Sequence, residues 1–169
     1  MFENQTIHIN SIPKYEEATF SSLHANYQKI VKLNSIMKLI VGLLVVIVIF
    51  FVFEEFERFY FIIAIIAITF LLALFPLLAY KKIKYAFRAH DLLLKKGLIY
   101  KTTHIVPFIR LQHIVIKQGW YAKKLGLATL TIFTATNDNL EVSIPGLTLE
   151  EAEQWKSFLL NRIQELEDV

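Results

Sequence analysis

"VPFIRLQHIVIKQGWYAKKLGLATLTIFTA", Val106 to Ala135, is the stretch on which the reading of the fold turns. Its two arms, 109–118 and 127–135, are short, rich in β-branched and aromatic residues, and alternate in polarity with the period of a half-buried strand. In the second arm Ala128, Leu130, Ile132 and Thr134 share one face. Six cationic or amide side chains are spread among these apolar positions: Arg110, Gln112, Lys117, Gln118, Lys123 and Lys124. They are either a binding surface or the frame of a fold.

The same pattern extends on both sides. Segments 82–88, 91–97, 98–106 and 140–145 read as further strands, with a tight turn at Lys96-Gly97 and a hairpin turn at "TNDN", 136–139. The period then changes. Thr148 followed by Glu151 is a capping box, and Leu149, Ala152, Trp155, Leu159, Ile163 and Leu166 recur at helical spacing. Glu150, Glu151 and Glu153 suit the start of a helix and need no ligand. Antiparallel strands closed by one amphipathic helix make a small mainly-β barrel or bent sandwich with a helix over its open end.

Upstream the chain is apolar enough to enter lipid, in keeping with its 55% hydrophobic composition. Residues 36–53 are apolar except for Lys38, and 59–80 carry no charge; at 1.5 Å per residue they reach about 27 and about 33 Å, enough to cross a bilayer. Only "EEFER", 54–58, separates them, so they form an antiparallel hairpin. Tyr60 and Tyr80 stand at the two interfaces, Pro76 lies near the end of the second span, and Thr69 and Ala73 make a small-xxx-small pair. Residues 16–34 are expected to form an interfacial helix leading into the first span. The chain thus divides into an N-terminal segment, 1–35, a hairpin, 36–80, and a cytoplasmic domain, 81–169.

Charge is segregated. Residues 81–124 hold 11 basic side chains and one acidic, Asp91, whereas 125–169 hold 2 basic and 8 acidic. Lys29, Lys32 and Lys38 precede the hairpin and Lys81, Lys82, Lys84 and Arg88 follow it, against Arg58 alone in the connection. The positive-inside rule therefore puts both termini of a multi-pass membrane protein in the cytoplasm and the short connection outside.

The residues from Val106 to Trp155 also carry a family resemblance. Pro107, Arg110-Leu111-Gln112, Gln118-Gly119, Lys123-Lys124-Leu125-Gly126, Thr134-Ala135 and Ile144-x-Gly146-Leu147 resemble the signature of the bacterial pleckstrin-homology (PH) domain of type 2. Leu111 stands where isoleucine is usual, and Lys123 and Lys124 where arginine is frequent, which weakens bidentate anion binding there. Two membrane helices ahead of one such domain are similar to the YdbS-like branch of that family. The resemblance implies a PH-like fold and a non-enzymatic accessory or scaffolding role, with a longer PH-like homologue or a homo-oligomer as partner. It implies structural roles for Pro107, Arg110, Gln112, Gln118, Gly119, Gly126, Thr134 and Gly146.

No nucleophile with its base, paired carboxylates, phosphate loop or cofactor motif is found in the sequence, and its 5 histidines, His8, His24, His90, His104 and His113, have no metal-binding spacing. His113 is expected to be a hydrogen-bonded structural residue. The absence of cysteine removes thiol chemistry. No helix is basic enough to read nucleic acid. Binding is the better reading: Lys81, Lys82, Lys84 and Arg88 stand just cytoplasmic of a span, where an anionic leaflet attracts them, or serve orientation alone. Lys95, Lys96, Lys101, Lys117, Lys123 and Lys124 either extend that surface over the sheet loops or are ordinary solvated lysines, and Lys117, Trp120, Tyr121, Lys123 and Lys124 form a second candidate surface. The alternative is an accessory subunit of a membrane transport or peptide-resistance complex.

Overall fold

The computed structural model describes residues 18–52, 55–135 and 141–167. Two long helices come first, α1 (Tyr27–Val52) and α2 (Glu55–Ala79). Over 39–52 and 59–79 they are apolar on nearly every side, so their mutual packing there rests on close approach and not on an amphipathic stripe. Gly42 is the contact point: a Cβ there would lie 2.3 Å from the Thr69 side chain. The Ser35 hydroxyl donates to the Ala73 carbonyl at 2.8 Å, and Lys38 Nζ reaches the Leu72 carbonyl at 3.3 Å. Thr69 and Ala73 thus face α1. Elsewhere Val41, Leu44, Val48, Phe51, Ile66 and Leu71 are more than half exposed, a surface suited to lipid.

Two expectations are corrected here. The helix expected over 16–34 begins at Tyr27; residues 18–26 are non-helical and contain a short strand, β1 (Ser21–Ser22). The connection expected over 54–58 is shorter, because α2 starts at Glu55. Pro76 lies within α2, which continues to Ala79.

After α2 a single 3-10 turn, Tyr80–Lys82, leads into β2 (Lys84–Phe87), β3 (Asp91–Lys96) and β4 (Thr102–Pro107). These pair antiparallel in the order β1-β2-β3-β4, so the sheet draws its edge strand from the far side of the membrane hairpin. Residues 98–101, read as the start of a strand, form the β3–β4 turn. A 3-10 corner at Phe108–Arg110 begins the second sheet, β5 (Leu111–Lys117), β6 (Leu127–Thr134) and β7 (Glu141–Thr148), with a five-residue helix α3 (Trp120–Lys124) between β5 and β6. The hairpin turn expected over 136–139 lies outside the described residues. The sheets form a sandwich and do not close into a barrel.

The last helix, α4 (Leu149–Glu167), starts on the expected capping box: the Glu151 carboxylate accepts from the Thr148 amide at 2.9 Å, and the Glu151 amide donates to the Thr148 hydroxyl at 3.2 Å. It closes a core of Leu92, Leu94, Phe108, Leu130, Ile132, Ile144, Ala152 and Leu159. Burial of each large apolar side chain contributes roughly 1.5–3 kcal/mol. Trp155 stacks on Phe87 at 3.8 Å between ring centroids, whereas Leu149, expected on the buried face, is exposed.

Candidate membrane-facing surface

The way the domain meets the hairpin decides which of its surfaces lies near lipid. The His24 amide donates to the Gly146 carbonyl at 3.0 Å, and Tyr27 packs so closely on Gly146 that a Cβ there would lie 2.7 Å from its ring. Gly146 also has φ +68°, a conformation few other residues adopt. Tyr27 in turn meets Tyr80 edge-on at 6.5 Å. The base of α1, the end of α2 and the β7–α4 junction are therefore joined.

From this junction β2 sets out, and register places everything else on its sheet. Lys84 is paired with Lys95, and Lys96 with Thr102. The end of the sheet at which the chain arrives from α2 therefore collects Lys82, Lys84, Lys95, Lys96 and Lys101, which with Gly97, Thr102 and Thr103 line a cavity of about 340 Å³. Like charges directly opposite across a ladder are destabilising. Lys96 is partly buried, and desolvation lowers its pKa from the ordinary lysine value, with Glu141 acting in the opposite sense. Lys95 Nζ sits 4.0 Å over the Phe20 ring. Lys81 lies on the exposed 3-10 turn beside this cavity.

Arg88 is separated from this group. It stands just past the other end of β2, about 13 Å from Lys84 at strand spacing, where its guanidinium makes a bidentate pair with Asp91 that raises the Arg88 pKa. Lys117 is also paired: its ammonium contacts Glu141 at 2.9 Å and holds that carboxyl below the usual glutamate range. The expected grouping of Arg88 with Lys81, Lys82 and Lys84, and of Lys117 with the aromatic pair, is thus rearranged by strand geometry and ion pairing.

Trp120 and Tyr121 lie on α3, with Lys124 Nζ 5.4 Å over the Trp120 ring and Lys123 exposed. Trp120 is 69% exposed. A second cavity, about 290 Å³, lies between α3 and the Tyr27–Met37 part of α1, so this aromatic pair stands beside the helix where the expected span begins.

Of the motif residues, Gln118 donates to the Leu127 carbonyl at 2.9 Å, bracing the strands either side of α3. Gly119 precedes α3, and its carbonyl accepts from Lys123 at 2.9 Å. Gly126 follows α3, and its carbonyl accepts from Leu149 at 3.0 Å. Thr134 is buried, and Pro107 ends β4. Arg110 and Gln112 are exposed; what holds at Arg110 is its carbonyl, which accepts from the Ala135 amide at 2.8 Å. His113 is stacked on Phe133 at 4.2 Å instead of buried in hydrogen bonds. His24 Nδ1 accepts from the Asn26 amide, and His8 lies outside the described residues. Among the described residues no group of three His, Cys, Asp or Glu is arranged to hold a metal ion.

Two side chains escaped the sequence reading. Ile99 and Tyr100, at the tip of the β3–β4 turn, are 85% and 86% exposed. The Lys96-Gly97 turn signal was the available clue.

Comparison with known proteins gives two matches. The family described as bacterial PH domain matches residues 32–166, the hairpin included. The UPF0699 transmembrane protein YdbS of Bacillus subtilis (strain 168) is 37% identical over 79 residues, 47% of this chain and 48% of the relative, so the match spans about half the length of each. No solved structure matches.

Proposed function

This chain belongs to the bacterial PH domain family, and on that premise we propose that it is a non-enzymatic module whose helical hairpin holds a cytoplasmic PH-like domain against an anionic leaflet. Residues 18–26 and 83–167 make up the cytoplasmic unit in this reading, with both chain ends on that side. The observation that carries it is the lysine-lined end of the β1-β2-β3-β4 sheet, which adjoins the end of α2. Two of its lysines, Lys84 and Lys95, oppose one another in register, and Lys96 is partly desolvated. Gathering like charges and desolvating one of them costs stability, and an anionic leaflet reduces that cost. Each lysine near an anionic leaflet gains about 1 kcal/mol.

A role as a scaffold for a protein partner follows from the same surface, since a domain already on the leaflet presents its outer face. The reading as a transport subunit would need ionisable groups facing a path through the membrane. Lys38 is instead turned onto the Leu72 carbonyl.

Native mass spectrometry of the full chain, extracted in mild detergent from membranes containing both lipid classes, tests the proposal. Anionic lipid should be retained in preference to zwitterionic lipid, and Lys81→Gln with Lys82→Gln and Lys84→Gln should abolish the preference. Equal retention of both classes, with a multi-span protein recovered stoichiometrically, would replace the leaflet reading by the transport one.

A further inference from the structure

The β3–β4 turn is an unusual tip for a water-facing sheet. Gly97 has φ +109°, and its position allows the chain to fold back so tightly that a Cβ would overlap the Tyr100 carbonyl. The side chains thrown outward by that fold are Ile99 and Tyr100, both more than four-fifths exposed, while Leu98 is only partly so. Lys95, Lys96 and Lys101 flank them in sequence, and Lys82 and Lys84 flank them in space around the cavity. Exposed apolar tips ringed by cations are the side-chain pattern of a segment lying at the boundary of headgroups and acyl chains, with tyrosine suited to that depth.

Register fixes where the tip points. Lys84 follows the end of α2 by five positions, Lys95 is opposite Lys84, and the turn continues from Lys96 beyond that pair. The tip therefore projects from the end of the sheet nearest the hairpin, and the hairpin is already in lipid. Little entropy opposes its entry, because the domain is tethered to the same surface.

We infer that Gly97–Lys101 is a membrane-inserting loop: Ile99 and Tyr100 enter the cytoplasmic leaflet, and lipid phosphate is bound by Lys82, Lys84, Lys95, Lys96 and Lys101, with the Thr102 and Thr103 hydroxyls as further donors. This rests on the proposed position of the domain on an anionic leaflet and names the contact that holds it there. Glu141 acts on the cluster through Lys96.

The chain contains no cysteine, so Tyr100→Cys carries a polarity-sensitive dye at one place, with Ser157→Cys on the exposed face of α4 as control. The full chain is placed in nanodiscs of phosphatidylcholine alone or with phosphatidylglycerol, some lipids bearing a quencher in the acyl chain, and amide exchange of residues 80–87 is followed in the same samples. The dye at 100 should report a lipid-like environment and be quenched in the anionic discs, and the dye at 157 should report water in both. Lys95→Gln with Lys101→Gln should lower the inserted-to-free ratio by roughly fivefold per lysine removed. A water-like, unquenched signal at 100 in the anionic discs overturns the inference. If residues 80–87 are still protected there, the leaflet reading stands without insertion; if they are not, both fall. A blue shift without quenching by lipid, or one produced by inorganic phosphate in neutral discs, also overturns it, in favour of a protein or a soluble anion.

Discussion

The two ends of β2 show the domain's two ways of handling positive charge. At one end Arg88 is closed onto Asp91 by two parallel hydrogen bonds, and the β2–β3 turn is complete in itself. At the other, Lys84 faces Lys95 across the ladder, with Lys82, Lys96 and Lys101 around the same cavity and Glu141 acting on Lys96 from a distance. One end of the strand is thus closed by an ion pair of its own, and the other gathers five lysines beside the end of α2. The difference teaches that counting basic residues along the sequence is a poor guide to a binding face; what matters is which of them strand register brings together.

The contrast breaks most severely if the lysine end is detached from the hairpin. Gly146→Ala adds a methyl group 2.7 Å from the Tyr27 ring at φ +68°. It should cost about 1–3 kcal/mol, seen as a lower unfolding temperature of the full chain and faster amide exchange in residues 21–24. The paired end offers a smaller effect. Asp91→Asn should lower stability by at most about 1 kcal/mol, since Arg88 is a third exposed, and leave retention of anionic lipid unchanged; a fall in retention would show that both ends of β2 contribute.

Lys96→Gln sharpens the comparison by separating stability from binding. Its folded-state pKa is lowered by desolvation, so the folded chain releases this proton before the unfolded one does. The charge therefore opposes folding at pH 7, and stability from this site rises as pH climbs from the folded pKa to the ordinary lysine value. The substitution should hold or slightly raise the unfolding temperature while reducing anionic-lipid retention roughly fivefold. The smallest effect belongs to Glu141→Gln, which removes the partner of Lys117 and the opposing charge near Lys96. Because the Glu141 pKa is lowered, its contribution is present above the ordinary glutamate value and lost as pH falls through the folded one. The variant should lose that acid-side dependence of the unfolding temperature and retain anionic lipid slightly better.

Much of this architecture was legible in the sequence because it depends on local periodicity. The apolar runs gave α1 and α2, alternation gave the strands, and Thr148 with Glu151 gave the start of α4. What stayed hidden depends on pairing between distant segments. Ser21 and Ser22 have no strand pattern of their own, and they join the sheet because the hairpin brings them back beside Lys84 and Tyr85. The site divided in the same way. Lys81, Lys82 and Lys84 were visible as a juxtamembrane run, but Arg88 follows them in sequence and leaves them in space, because four residues of strand carry it to the opposite end. The opposition of Lys84 and Lys95 and the outward throw of Ile99 and Tyr100 are matters of register and turn geometry, which composition does not encode.

In the proposed position the lysine end of this sheet lies against anionic lipid and the Arg88 end lies away from it. Hydrogen–deuterium exchange of the full chain in nanodiscs, compared between zwitterionic and anionic lipid at low and high salt, measures both ends at once. Residues 82–84 and 95–101 should gain protection in anionic lipid and lose it at high salt, where screening shortens to a few ångströms, while 88–91 should exchange alike in every condition. Equal exchange of 82–84 and 95–101 in the two lipids, or protection centred on 88–91, would contradict it.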